Sequence, residues 1–252
     1  MRKLKTTLTV KKCGNAYRKM LINLSVVHLL VGMSLCYAQT PLLIYLNTDE
    51  SPQTIQDDFI SLLGDVDVRA FGRIRDLQQF IDEHPNAPVI APGVFIELNT
   101  DYKILLRGVS NNRIGEKFFV IAKDSDVNTN SIPELRVGIL DFLGRRNISD
   151  FLTKTFGSEF GRIRRVNKRE DLLTLLGMEA VDIIVVSESE LALLKTETRL
   201  DLFTVVESAA LVSNLPVIAS KNGEIAQEVL TKLRSGSSET FQTLDIQQWR
   251  DK

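Results

Sequence analysis

From Pro41 onward the chain alternates short apolar runs with amphipathic segments, a pattern that predicts βα units around mostly parallel sheet. "PLLIYLN" (41–47) reads as a strand, and "TIQDDFISLLG" (54–64) as a helix with Ile55, Phe59, Leu62 and Leu63 on one face and Gly64 at its end. "VDVRAFG" (66–72) is a second strand, "DLQQFIDEH" (76–84) a helix, and "APVIAP" (87–92) a third strand that Pro92 and Gly93 stop. Two strands follow, "YKILLRG" (102–108) and "KFFVIAKDS" (117–125), and then a polar stretch, "DVNTNSIPEL" (126–135), that ends in a short helical turn.

The rhythm then repeats: strand "LRVGIL", helix "ISDFLTKTFG" with Ile148, Phe151, Leu152 and Phe156 aligned, strand "RIRRV", helix "REDLLTLLG", strand "VDIIVV", helix "SELALLK". "LFTVVESAALVSNLPVIAS" (202–220) reads as two strands broken by "ESAALVSN", and a helix runs from about Gly223 to Leu233. The last residues are polar except Phe241, Leu244, Ile246 and Trp249, which are expected to dock the tail on the body. The architecture repeats without a residue-level repeat. The predicted class is α/β: two lobes, each a mostly parallel sheet flanked by helices, joined by two crossing strands. Lobe 1 takes residues 39–121 with 214–252, and lobe 2 takes 122–213.

The segment 1–38 differs from the rest. Seven basic and no acidic side chains precede an uncharged apolar run from Leu21 to Cys36, which ends in "CYAQ". This is the form of a cleavable signal peptide over 1–38, cut after Ala38, and it predicts a periplasmic protein. An uncleaved anchor is the alternative, although the run is short for a bilayer core, which needs about 20 residues. Lipidation of Cys36 is a third reading, disfavoured by the bulky Leu35 before it.

Removing the leader changes the chemistry. The 31 basic and 32 acidic residues become 24 and 32, a net charge of −8, which argues against nucleic acid as a partner. Both cysteines, Cys13 and Cys36, leave with the leader, so the remainder holds no disulfide, cysteine nucleophile or thiolate metal ligand. Its one histidine, His84, has helix-end spacing behind Leu77, Phe80 and Ile81. With no base for a nucleophile and no metal spacing, the sequence predicts neither catalytic residues nor a metal or cofactor. The basic stretch Arg162 to Arg169 reads as a solvated face.

The segments "APVIAPGVFIELNTDYKILLRG", "EKFFVIAKDS", "SIPELRVGILD", "VDIIVVSESEL" and "VVESAALVSNLPVIASKNGEIAQEVLTKL" together resemble the type II periplasmic solute-binding proteins, within them the phosphate and phosphonate receptors of ABC transporters. Order and spacing match over roughly 41 to 235. The resemblance implies a non-enzymatic, monomeric protein that closes its lobes on a small solute, anionic or zwitterionic. Its hinge would lie at "FFVIAK" and "LPVIAS", and its partner would be an ABC transporter permease or, alternatively, a membrane sensor kinase.

The turn "DFLGRRN" (141–147) departs from that family, whose members carry hydroxyl- and glycine-rich residues there to bind the anion at a helix amino end. Asp141 would repel an oxyanion and is expected to cap the helix, leaving Arg145 and Arg146 in solvent; direct anion contact by either arginine is the competing reading. Asn47, Thr48 and Ser51 after the first strand are ligand contacts or ordinary helix caps. Gly93 either lets backbone approach a ligand or merely ends a strand. Ser189 and Glu188 follow "VDIIVV", and the resemblance implies that Glu188 meets a ligand amine. Glu207 and Ser208 are hinge residues or contacts.

Overall fold

In the computed structural model, residues 40–48, 50–123, 134–157, 159–197, 204–236, 241 and 244–252 are described, with backbone alone for 197 and 206–210. The leader 1–38 and nearly all of the polar stretch 126–135 lie outside these residues. Among the described residues no helix is long and apolar enough to cross a membrane.

The first sheet starts with β1 (Leu42–Tyr45), α1 (Pro52–Leu63), β2 (Val68–Phe71), α2 (Ile74–Glu83), β3 (Val89–Pro92), α3 (Gly93–Leu98) and β4 (Lys103–Val109). The chain crosses to the second sheet through β5 (Glu116–Ala122), β6 (Arg136–Leu140), α4 (Gly144–Phe156), β7 (Arg162–Val166), α5 (Glu170–Gly177), β8 (Ile183–Ser187), α6 (Glu188–Glu197) and β9 (Thr204–Val212). It returns through β10 (Pro216–Ser220), α7 (Gln227–Ser235) and β11 (Gln248–Asp251). The strand orders are β11-β4-β10-β3-β1-β2 and β7-β6-β8-β5-β9. In each sheet three parallel strands (β2-β1-β3, β7-β6-β8) meet an antiparallel one (β10, β5) that arrives from the other lobe.

Alternation along β1 explains why its apolar run is unbroken. Leu43 and Tyr45 join one buried cluster and Leu42 and Ile44 another, so both faces of the sheet are covered. Leu43's cluster continues into the second sheet through Val120, Ile139, Phe142 and Val185. The helices follow the predicted faces: Ile55, Phe59 and Leu63 are buried in α1, and Ile148, Phe151 and Leu152 in α4. Gly64, at φ +73°, ends α1 in a conformation that glycine adopts without strain. His84 closes α2 and stacks on Phe80, ring centroids 4.4 Å apart.

Several elements differ from the sequence reading. The lobes divide between β4 and β5, because β5 pairs wholly within the second sheet; the crossings are the connections 110–115 and 213–215 rather than the strands themselves. "ESAALV" does not break a strand: β9 runs through it, and two register shifts against β5 absorb the irregularity. The short helix α3 stands where the sequence reads as a turn. α7 begins at Gln227, later than its apolar spacing suggests, because Asn222 Oδ1 accepts from the Glu224 N–H (3.0 Å) and forms a turn that competes with helix. The tail docks through buried Phe241, Leu244, Ile246 and Trp249, and it also adds a strand, β11, along β4.

Candidate functional site

The turns at the carboxyl ends of the parallel strands in both lobes converge on one polar cleft of about 270 Å³. Asn47, Thr48 and Glu50 line it from the turn after β1. Asn167 and Arg169 come from the turn after β7, Ser189 and Glu190 from the start of α6, and Asp245 from the tail.

Glu190 is the centre of this arrangement. The stretch Ser187-Glu188-Ser189-Glu190 is a capping box: the Glu190 N–H donates to Ser187 Oγ (3.2 Å) and the Ser187 N–H donates to Glu190 Oε2 (2.7 Å). The other carboxyl oxygen accepts from Asn47 Nδ2 of the opposite lobe at 3.1 Å, so one side chain both starts α6 and links the lobes. Glu190 is only 8% exposed. Burial lifts its carboxyl from the ordinary 4.5 to about 7, and Glu116 adds to this; the Ser187 N–H, the Asn47 amide and Arg169 act in the opposite sense and are outweighed. The site therefore holds a carboxyl that titrates near neutrality.

The remaining predicted residues are distributed as follows. Thr48 and Ser189 line the cleft with Asn47, and Ser189 Oγ lies 3.0 Å from Ser187 Oγ. Ser51 caps α1, accepting from the Thr54 N–H at 3.1 Å. Glu188 forms a two-pronged pair with Arg113, both contacts at 3.0 Å, and that guanidinium holds its carboxyl below the usual range. Its charge is thus taken up within the chain, beside a neighbouring space of about 320 Å³. Gly93 is pressed against the chain itself: its N–H donates to the Leu215 carbonyl (3.0 Å), and a Cβ there would lie 2.2 Å from Ser213 Oγ. The backbone approach it permits is to the return crossing. Glu207 and Ser208 sit on β9 opposite Val120 and Phe119, and their side chains lie outside the described residues.

The turn 141–147 behaves unlike either expectation for Asp141. Leu143 occupies the N-cap position of α4 and no side chain caps the helix. Asp141 instead accepts from Arg165 Nη1 at 2.6 Å, an ion pair with the two side chains less than a third exposed. Phe142 and Leu143 are buried. Gly144, at φ +78°, brings the start of α4 against Ile74 and Gln78 of α2. Arg145 and Arg146 are exposed, with no ion-pair partner among the described residues. The start of this turn is taken up by the protein's own ion pair and packing.

Sequence reasoning misses Glu190, Arg169, Asn167 and Asp245. The capping-box spacing in "SESE" is visible in the sequence and singles out Glu190 over Glu188. Arg169, only 7% exposed, falls in the stretch that reads as solvated, although it stands past the end of the strand alternation in "RIRRV". Nothing local marks Asp245, which the tail carries into the cleft between buried Leu244 and Ile246.

No family model and no curated protein matches this sequence. Solved structures do match. A Xanthomonas citri protein bound to ATP superposes with a TM-score of 0.63 at 9% identity, covering 85% of this chain and 92% of that one. PhnD1 of Prochlorococcus marinus in complex with methylphosphonate gives 0.60 at 12% identity, covering 85% and 93%. A binding protein component of an ABC phosphonate transporter from Pseudomonas aeruginosa gives 0.55 at 14%, covering 84% and 82%. With two sheets, exchanged antiparallel strands and a cleft between them, the chain has the two-lobed type II periplasmic-binding-protein fold that the sequence resembles.

Proposed function

We propose that this protein is an exported, non-enzymatic solute-binding protein that holds a small solute between its lobes and delivers it to an ABC transporter permease. The observation that carries this reading is the two-sided cleft: polar side chains of both sheets line one space, and a hydrogen bond from Asn47 to Glu190 already spans it. A solute bridging the two walls stabilises the closed arrangement by its differential contacts with it. Transporter-linked phosphonate binding in the Pseudomonas aeruginosa protein of the same fold supports the role.

The charge of the lining refines the solute. Glu50, Glu190 and Asp245 share the cleft with Arg169, so a zwitterion suits it better than a simple phosphate or phosphonate. A second reading, a ligand-sensing or interaction subunit for a membrane sensor kinase, is favoured by one observation: the turn that binds oxyanions in the resembling receptors is occupied here by Asp141, Arg165, Phe142 and Leu143.

Thermal melting with phosphate, methylphosphonate, sulfate and a set of amino acids tests the primary reading. A solute at a hundred times its Kd stabilises by about 2.7 kcal/mol, roughly 5–10 °C for a chain of this size. A shift with a zwitterion and none with phosphate is the expected result; no shift with any solute overturns solute delivery and leaves the interaction reading.

A further inference from the structure

Next to the main cleft, at the level of the two crossings, is a smaller space of about 40 Å³. Glu116, the first residue of β5, lines it from one crossing, Asn214 from the other, and Asp245 from the tail. Asn214 is only 9% exposed. Its Nδ2 donates to Glu116 Oε2 at 2.6 Å, which fixes the amide orientation and leaves Oδ1 an acceptor; that oxygen is buried with no hydrogen-bond partner. A buried, unpaired carbonyl oxygen is costly to leave unsatisfied. No lysine, arginine or histidine lines the space. Two carboxylates and an unsatisfied amide oxygen line it together; Arg113, which borders the adjoining space with Glu116 and Asp245, is paired with Glu188, and partial desolvation together with the Glu116 charge pushes the carboxyl of the otherwise exposed Asp245 above its ordinary value.

We infer that this niche is the seat of a primary ammonium group of the bound solute, held by Asn214 Oδ1 and the carboxylates of Glu116 and Asp245. The inference rests on the solute-binding reading and names the cationic end of the ligand. Three N–H donors match three acceptors of distinct origin, and the positive charge relieves the repulsion between the carboxylates. Size restricts the choice further. A water needs about 10–15 Å³ of such space, so 40 Å³ holds about three or four atoms of that size; a primary ammonium with its first carbons fits, whereas a trimethylated nitrogen fills the space and has no N–H to offer Asn214 Oδ1. Because the walls come from both crossings and from the tail, an ammonium there ties the C-terminal segment to the region about which the lobes turn. Asp245 is suited to this by position: buried Leu244 and Ile246 hold it on either side, in a left-handed conformation (φ +54°) that Asp and Asn tolerate.

The test compares methylammonium with tetramethylammonium chloride, at equal concentration and ionic strength, by thermal melting of the intact protein and of two variants, Asp245→Asn and Glu116→Gln. Both substitutions keep the side-chain shape and remove a charge. Methylammonium is expected to raise Tm by about 1 °C over tetramethylammonium, a shift suited to a fragment whose Kd is near the concentration used, and each variant is expected to lose that difference. Equal melting in the two salts, or a difference that survives in both variants, overturns the niche. The solute panel separates this result from the underlying reading. A solute that stabilises the parent and both variants equally leaves the cleft a binding site and removes the ammonium seat. A methylammonium effect confined to the parent, with no solute shift, retains the niche and rejects solute delivery.

Discussion

The turns after β1 and β6 occupy equivalent places in the two lobes, each leading from the central strand of a parallel trio into a helix, yet they are built in opposite ways. After β1 the turn is polar: Asn47 and Thr48 face the cleft and Ser51 caps α1 through the Thr54 N–H. After β6 it is closed: Phe142 and Leu143 are buried, Asp141 pairs with Arg165, and α4 has no side-chain cap. Fold symmetry therefore does not impose symmetry of the site. The second lobe reaches the cleft from its next two turns, through Arg169 and through Glu190, while its first turn is devoted to packing.

The largest break in this comparison comes from the packed turn. Phe142 lies 5.5 Å from Phe151 and 6.1 Å from Phe118, ring centroid to centroid, all three buried. Phe142→Ala is expected to cost about 3–5 kcal/mol in denaturant unfolding, the range for removing an aromatic ring from a core. A loss under about 1 kcal/mol would mean that the turn is not a packing element.

An intermediate effect is expected at Glu190, where the lobes meet. Its carboxyl is raised from 4.5 to about 7. Below pH 4.5 folded and unfolded chains are both protonated there. Between about 4.5 and 7 only the unfolded chain ionises, so this group's contribution to stability falls as pH rises, by about 3 kcal/mol in all, and it is constant above 7. Glu190→Gln should flatten the stability difference between pH 5 and pH 8 by most of that amount, measured by urea unfolding at both values. An unchanged pH profile would place the titration elsewhere.

The smallest effect belongs to the open turn. Ser51→Ala removes the cap on α1 and is expected to cost about 1 kcal/mol, whereas the same measurement on Asp141→Asn should show no loss of a cap, only of an ion pair. A Ser51→Ala loss beyond the usual range for a cap, about 2 kcal/mol at most, would show that the polar turn, too, is part of the core.

The elements were legible where periodicity was strong. The faces of α1 and α4 and both sets of parallel strands follow from apolar spacing, because burial on one helical stripe or on two sheet faces leaves a direct mark on residue order. Elements that depend on neighbours were not. The continuous β9 relies on bulges against β5, and β11 exists because β4 presents a free edge to a tail that four buried apolar residues pin down. Among site residues the division is the same. Asn47, Thr48 and Ser189 follow strands whose ends must face a cleft, whereas the pairing of Glu188 with Arg113 and of Asp141 with Arg165, partners distant in the chain, is made only by the fold.

Apolar periodicity and the resemblance built on it determined the layered α/β class, the two lobes and the turns that border the gap between them, since these depend on short-range spacing along the chain. Which charges in those turns remain available was decided only by the tertiary structure. A carboxylate's partner is chosen by proximity in space. The burial that lifts Glu190 toward neutrality, and the crowding of Glu116 with Asp245, arise only when segments far apart in the chain come together.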